Sequence, residues 1–109
     1  MTLQSLIKLT QLLKETPLTV IQWQILLVVA DNTGETITDL VNDEKLRCGT
    51  PSDIAVSVKR LGEGRHDRPG LGLIKKTAHP DDGRYFKLAL SPKGKRLITN
   101  IKKKIRNLE

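Results

Sequence analysis

Residues that could catalyse a reaction or hold a metal are few and scattered in this chain. The single cysteine, Cys48, and the two histidines, His66 and His79, fall in segments with the composition of turns or loops. Their spacings fit no standard zinc pattern. The acidic pairs 43–44 and 81–82 are adjacent in predicted turns, where acids are common because of turn chemistry. We therefore expect no catalytic site, no metal site and no cofactor, and we predict that the protein is not an enzyme.

The glycines of segment 62–72, GEGRHDRPGLG, do not form a phosphate-binding loop of a known kind. Such a loop follows a strand and opens a helix, because the helix N-terminus then faces the phosphate. This segment instead follows a predicted helix and precedes a predicted strand. The composition predicts a connecting loop.

Positive charge is the stronger chemical signal. The formal net charge is +7, and its distribution is uneven: residues 1–64 carry a net of −2 and residues 65–109 a net of +9. Such asymmetry indicates a polyanionic partner, either nucleic acid or an anionic membrane surface. The plainer alternative is a solvated basic surface that keeps the protein in solution.

Length and cysteine content restrict the class further. A chain of 109 residues suits one domain, which at this size buries roughly 65% of its unfolded surface. Stability is then modest or shared with a partner subunit. One thiol excludes an internal disulfide, and the first residues lack the features of a secretory leader, so we expect a cytoplasmic protein. No apolar run reaches the ~18 residues that a membrane span needs.

Apolar spacing predicts a first helix over residues 3–14, which ends before Pro17. The second helix begins with a capping box of Thr19 and Gln22, and it is apolar enough to be the central buried helix. Ile37 is predicted to lie in a very short strand, and Thr38 to cap a short third helix that is followed by a polar turn over 43–49.

The second half of the chain alternates clear start and stop signals. Thr50 and Pro51 open a fourth helix, 51–61, which Gly62 ends. Segments 73–77 and 85–90 are strand candidates, with Phe86, Leu88 and Leu90 on one face. Ser91 and Pro92 open a last helix to about residue 108.

This order, α-α-(β)-α-α-β-β-α, is that of a winged helix-turn-helix, a mainly α fold with a small β-hairpin (α+β). The third and fourth helices, joined by a short turn, form the helix-turn-helix pair. The fourth helix can enter a major groove. The hairpin, residues 73–90, is the wing, and the arginine at its tip can enter a narrow minor groove.

The wing carries a specific resemblance. Residues 82–94, DGRYFKLALSPKG, resemble the wing signature D-x-R-x-x-x-L-x-L-T-x-x-G of the MarR family of bacterial transcription regulators. Every fixed position matches except the threonine, which is Ser91 here and caps a helix equally well. Segments "LTVIQWQILLVVA", "ETITDLV" and "TPSDIAVSVKRL" resemble the family's second helix, the first helix of the pair and the recognition helix. The resemblance covers about residues 17–101.

The resemblance implies double-stranded DNA as the partner and assigns roles to individual residues. Arg84 enters the minor groove, and Asp82, Leu88 and Leu90 support the wing. Asp53 either accepts a hydrogen bond from a cytosine amino group or only caps its helix. The expected contacts of the recognition helix are Thr50, Ser52, Asp53, Ala55, Val56, Lys59 and Arg60, of which Lys59 and Arg60 are expected to touch phosphates, and those of the wing are Lys75, Lys76, His79, Arg84 and Lys87. The loop before the wing is longer than the family's link, and its Arg65, His66 and Arg68 either add phosphate contacts or lie in a solvated loop.

A homodimer is expected through the terminal helices, about residues 3–14 and 92–108, because their apolar stripes exceed what one small domain covers. The alternative is that the stripe of the last helix packs only on its own first helix. The short terminal helices argue against the small-molecule effector pocket that the family usually has. The predicted dimer residues are Leu6, Leu9, Leu13, Ile98, Ile101, Ile105 and Leu108.

The sequence thus favours a sequence-selective transcriptional regulator, most simply a dimeric repressor that occludes an inverted repeat with half-sites about 34 Å apart. Two alternatives stay open. One is a winged helix that binds another protein; the acidic residue on the exposed face of the recognition helix favours this alternative. The other is a DNA-binding accessory protein with no regulatory output.

Overall fold

A computed structural model describes residues 2–47, 49–64, 67–81 and 85–107. Five helices and one two-stranded antiparallel sheet are present in these ranges, so the predicted fold class, mainly helical with a small hairpin, is confirmed. The elements in chain order are α1 (Leu3–Lys14), α2 (Val20–Asp31), α3 (Ile37–Asn42), α4 (Pro51–Leu61), β1 (Ile74–Ala78), β2 (Phe86–Leu90) and α5 (Pro92–Arg106).

Every helix begins at a hydroxyl side chain that caps it. Each of the five hydroxyls accepts a hydrogen bond from the backbone N–H three residues on, which satisfies one of the N–H groups that a helix start leaves free. α2 and α4 add the reciprocal bond that completes a capping box. The caps are Thr2, Thr19, Thr36, Thr50 and Ser91.

Two expectations about the region before α3 are wrong by one or two residues. Thr36, rather than Thr38, caps α3, and its hydroxyl accepts from the N–H of Asp39 at 3.1 Å. Ile37 is the first residue of the helix rather than part of a strand. The strand-like residue is Thr36, which forms a β-bridge with Lys87 in β2.

This bridge adds a short third segment to the two-stranded sheet of the wing. The N–H of Gly34 donates to the carbonyl of Leu88, and the N–H of Leu88 donates to the carbonyl of Glu35. Segment 34–36 is thereby paired with β2 on the side away from β1. The loop before the helix-turn-helix and the wing that follows it are therefore one structural unit.

α2 is the central buried helix, as predicted. Trp23, Ile25, Leu26 and Val29 are buried along it, and the helix packs against α4, β2 and α5. The core continues into the other elements through Leu40, Leu46, Ile54, Val58, Leu61, Leu73, Ile74, Leu88, Ile98 and Ile101.

Each strand of the wing begins one residue later than the predicted segments 73–77 and 85–90. The register pairs Ile74 with Leu90 at the base and Ala78 with Phe86 near the tip. Leu88 is buried and Leu90 is half-buried, but Phe86 is 45% exposed although it has the same strand parity. Phe86 lies at the tip end of β2, so the apolar face of this strand is buried only toward the base of the hairpin.

Gly94 allows α5 to pack directly on the backbone before β1. A Cβ built on Gly94 lies 2.2 Å from the carbonyl oxygen of Leu73, a separation that no real side chain occupies. α5 then buries Ile98 and Ile101 in the core, and its described part ends at Arg106. The close approach explains why this helix position holds glycine despite its low helix propensity.

α1 is the least covered helix. Leu12 and Leu13 are half-buried against the core, whereas Leu3 is 79%, Leu6 46% and Ile7 54% exposed. An ion pair between Glu15 and Lys104 joins the end of α1 to α5 at 3.5 Å. In the described part of the chain, no helix combines the length and the apolar character required to cross a bilayer.

We predict that Gly94→Ala lowers the free energy of unfolding by about 2 kcal/mol, because overpacking costs up to about 3 kcal/mol and the gain in helix propensity returns about 1. Urea denaturation measures this. Gly34→Ala is the control: its Cβ meets nothing within 4 Å, but its φ of +90° is unfavourable for alanine and costs about 1 kcal/mol. A Gly94→Ala protein as stable as the wild type would contradict the packing described here.

Candidate nucleic-acid interface

The outer face of α4 is formed by the residues that the sequence assigned to it. Ile54, Val58 and Leu61 are buried against the core. The spacing of these three residues turns the remaining positions outward. The exposed positions are Ser52, Asp53, Ala55, Val56, Lys59 and Arg60, and Thr50 at the cap is exposed as well.

Asp53 is committed to the start of α4. Its carboxylate Oδ2 accepts from the N–H of Thr50 at 3.1 Å, and the hydroxyl of Thr50 accepts from the N–H of Asp53 at 3.1 Å. The capping role that the sequence favoured for Asp53 is confirmed. The side chain keeps further acceptor capacity, because a carboxylate has about four lone-pair sites.

The loop after α4 is held in a compact form by backbone hydrogen bonds. Its two arms meet where Gly64 and Pro69 form a β-bridge and where the N–H of Gly70 donates to the carbonyl of Glu63 at 2.9 Å. Arg60 adds a side-chain bond, from Nη1 to the carbonyl of Pro69 at 2.7 Å. The loop is therefore fixed on the end of α4.

Glycine is required at two points of this loop. Gly64 has a φ of +78°, and a Cβ there would lie 2.1 Å from the backbone nitrogen of Gly70. A Cβ on Gly70 would lie 2.0 Å from the carbonyl oxygen of Gly62. No side chain fits between the two arms at these positions, so the arms can pair only when both residues are glycine.

A groove of about 480 Å³ lies between α4 and this loop. One wall has the apolar side chains Ala55 and Val56, and Val56 is 59% exposed. Three cationic side chains, Lys59, Arg60 and Arg68, line the same groove. The arrangement places positive charge beside an exposed, nearly neutral stretch of the helix.

The wing contributes a second group of cations. Lys75 and Lys76 are exposed on β1, Lys87 is half-buried on β2, and Lys76 Nζ lies 5.7 Å from the centre of the Phe86 ring. Near the tip, the N–H of His79 donates to the carbonyl of Tyr85. Nδ1 of His79 in turn accepts from the N–H of Asp81, so this histidine organises the turn.

A smaller cavity of about 290 Å³ joins the two groups of cations, because Lys59, Glu63, Lys76 and Phe86 line it together. Lys59 of the recognition helix and Lys76 of the wing are thus on one continuous surface, whereas strand alternation places Lys75 and Lys87 on the other face of the hairpin. Several predicted site residues lie outside the described residues, namely Arg65, Asp82, Arg84 and Leu108, as do Cys48 and His66.

The predicted dimer residues are found in different environments. Leu6 is exposed, and Leu9, Leu13 and Ile105 are half-buried, so these four retain apolar surface. Ile98 and Ile101 are buried in the core of their own chain, mainly against elements other than α1. Within a single chain, the stripe of α5 is therefore largely covered, and among the predicted dimer residues that the structure describes, Leu6 of α1 is the most exposed.

Two features of the site were missed at the level of sequence. Gln22 of α2 lines the groove beside α4; the capping box explained this residue completely, so nothing suggested a second role. Arg60 was expected to contact phosphate, and in the structure it also holds the loop through the carbonyl of Pro69. A basic residue two positions before a glycine-rich loop is the signal that could have indicated that role.

Comparisons with known proteins bear on the fold. No family model matches the chain, and no curated protein matches it. A crystal structure of MarR superposes with a TM-score of 0.60 and 22% sequence identity, over 84% of this chain and 61% of that one. The fold is a winged helix like that of MarR. This chain spans less than two thirds of the MarR chain, and at this identity the winged-helix likeness concerns the fold alone.

The winged helix contains no group of three or more metal-ligating side chains among the residues that the structure describes. Its titratable side chains are distributed over exposed elements. The exposed surface around α4 presents cations, hydroxyl groups and methyl groups.

We predict that Gly70→Ala separates the two arms of the loop while the core stays folded. Hydrogen exchange would then accelerate at the N–H groups of Gly64, Gly70 and Gly72, each of which donates within this junction, because local opening exposes them to solvent. The amides of α2 keep their protection. Unchanged protection at all three glycines would contradict the clamped loop.

Proposed function

We propose that this protein is a sequence-selective, double-stranded-DNA-binding transcriptional regulator that acts as a dimeric repressor. The observation that carries the proposal is the continuous cationic surface around the exposed face of α4, formed by Lys59, Arg60 and Arg68 on one side and Lys76 of the wing on the other. Winged-helix architecture and the likeness to MarR support it.

α4 has the dimensions and exposure of a major-groove reading helix. Ser52 offers a hydroxyl that hydrogen-bonds to any base edge, and Ala55 and Val56 offer methyl groups that contact the C5-methyl of thymine. Asp53 caps the helix and is available to a cytosine amino group. The proposed readout is therefore weighted toward thymine methyl groups, since the helix face carries few of the long polar readers.

Affinity comes from the flanking cations. Lys59, Arg60 and Arg68 are placed to contact phosphates on one side of the groove, while Lys75, Lys76 and Lys87 contact the backbone beside the wing. Arg84, at the tip by sequence, enters the minor groove, where narrow A·T-rich stretches attract arginine. Arg65 of the loop and His79 of the wing are proposed as further DNA contacts.

A homodimer places two such surfaces on an inverted repeat with half-sites about 34 Å apart. α1 has an exposed leucine, Leu6, and two half-buried ones, Leu9 and Leu13. This apolar surface favours α1 as the principal contact between copies. Ile105 of α5, and Leu108 three residues later in the sequence, are proposed to extend that contact. Repression follows because a dimer across a promoter blocks the polymerase.

A second candidate is a winged helix that binds an acidic partner protein. The exposed phenyl ring of Phe86 and the apolar side chain of Val56 favour it, because exposed apolar groups beside cations suit a protein interface. DNA binding without regulatory output is a third possibility, and protection of one promoter segment over neighbouring sequence separates it from the main proposal.

We predict that Arg84→Ala weakens duplex binding about tenfold to a hundredfold. The reason is that an arginine that contacts bases contributes about 1–3 kcal/mol to the binding free energy. Fluorescence anisotropy on the DNA flanking the protein's own gene measures this. Lys14→Ala is the matched control, because it removes one charge from an exposed position of α1.

Retained circular dichroism and an unchanged melting temperature show that the Arg84→Ala variant is folded. Equal affinities of Arg84→Ala and Lys14→Ala would remove the wing from the interface and favour the protein-binding alternative.

A further inference from the structure

α5 presents a cationic surface that the wing and α4 do not use. Segment 92–107 has seven basic residues and no acidic residue. All seven are exposed, whereas Ile98 and Ile101 on the opposite side are buried in the core. Surface helices ordinarily intersperse both signs of charge, so a helix with one sign only is a marked departure.

The cations of α5 fall into two parallel rows. At 3.6 residues per turn, Lys95, Lys102 and Arg106 align along the helix, because they are separated by seven and four residues. Arg96 and Lys103 form an adjacent row, again separated by seven. Arg96 and Lys103 lie opposite the buried side of the helix, and the row of Lys95, Lys102 and Arg106 lies about 100° from it, since each residue turns the helix by about 100°. We call these five residues the α5 cationic face.

Ion pairing leaves this face unneutralised. Among the described residues, Lys104 pairs with Glu15 at 3.5 Å, and Lys93 donates to the carbonyl of Leu71, but both residues flank the face rather than belong to it. None of the five residues of the face has a carboxylate partner in the described part of the chain. Their mutual repulsion favours an external polyanion.

The face is also separate from the proposed reading surface. α4 and α5 each pack against α2, and the groove beside α4 is lined by no residue of α5. The distance along the helix axis from Lys95 to Arg106 is about 16 Å at about 1.5 Å per residue. That length corresponds to about five base pairs at about 3.4 Å of rise along one DNA strand.

We infer that the α5 cationic face binds the phosphate backbone of duplex DNA without sequence selectivity, as a second contact surface. The inference rests on the proposed function for the choice of DNA as the polyanion. The face increases affinity for any duplex, while α4 and the wing supply selectivity.

Other occupants fit the face poorly. A second copy of the chain, related by a two-fold axis, would bring like residues together and set cations against cations. A membrane-surface helix inserts its apolar side between lipids, but Ile98 and Ile101 of α5 are buried in the protein's own core. A nucleic-acid backbone requires only the charged side, and that is the side presented.

The test compares two double variants with equal loss of charge. Lys95→Gln with Lys102→Gln removes two lysines seven residues apart on α5; Lys8→Gln with Lys14→Gln removes two exposed lysines six apart on α1. Anisotropy titrations over a range of salt concentrations use two duplexes, the DNA flanking the protein's own gene and a scrambled duplex of the same composition. Melting temperatures establish that the variants are folded.

The α5 variant is expected to flatten the log–log salt dependence by up to about 1.8, at about 0.9 per lost phosphate contact, equally on both duplexes. The α1 variant keeps the wild-type slope. Equal slopes for the two variants would overturn the inference, and so would binding of the wild type to vesicles of anionic lipid but not to DNA.

A third variant, Lys59→Gln with Arg68→Gln, separates this inference from the proposed function. If it weakens binding and the α5 variant does not, the α5 face is excluded and the proposed function stands. If only the α5 variant weakens binding, α5 is the DNA contact and the proposed role of α4 fails. A wild type that binds neither duplex overturns both proposals.

Discussion

The backbone of Leu73 joins the three elements on which the proposed interface depends. Its N–H donates to the carbonyl of Leu61 at the end of α4, and its carbonyl accepts from the N–H of Ser91 at the start of α5. The same carbonyl is the atom against which Gly94 packs. Because Leu73 immediately precedes β1, the end of α4, the base of the wing and the start of α5 are fixed at one point.

This junction makes the loop between α4 and the wing a rigid part of the surface. The N–H groups of Leu71 and Gly72 donate to the carbonyls of Arg60 and Gly62, so the chain returns along the end of α4 before it enters β1. Arg68 is consequently held beside Lys59 in the groove. Preorganised cations lose little conformational entropy when they bind, which favours a surface that recognises phosphates in a fixed register.

Charge and selectivity are divided between elements. The exposed face of α4 combines hydroxyl and methyl groups with one committed carboxylate, while the cations are at its end, in the following loop, on the wing and on α5. Under the proposed function, most of the affinity comes from the backbone of DNA and the discrimination from a small number of weak base contacts. The charge asymmetry of the sequence, −2 before residue 65 and +9 after it, follows from that division.

Local signals made most of the fold predictable. The caps at Thr19, Thr50 and Ser91 are read directly from the sequence because a hydroxyl followed by proline, or by a capping-box partner three residues on, has one favourable structure. Before α3, Thr36 and Thr38 are both competent caps, and the choice of Thr36 depends on its pairing with Lys87, about fifty residues later in the chain.

Long-range geometry accounts for the other features that the sequence did not indicate. The loop after α4 looks unstructured by composition, yet its glycines permit a backbone pairing that only the folded chain reveals. The groove beside α4 brings Gln22 next to Val56 and Arg68 from three separate segments. Strand alternation alone does not specify that Phe86, at the tip end of β2, is exposed while Leu88 is buried.

The central claim is that α4 reads a DNA sequence, and the ratio of two affinities tests it most directly. Affinity for the duplex flanking the protein's own gene is compared with affinity for the scrambled duplex at physiological salt, with footprinting to locate the protected segment. The account predicts one protected inverted repeat and a preference of about a thousandfold or more. Equal affinity for both duplexes, with protection spread along the whole fragment, would contradict it.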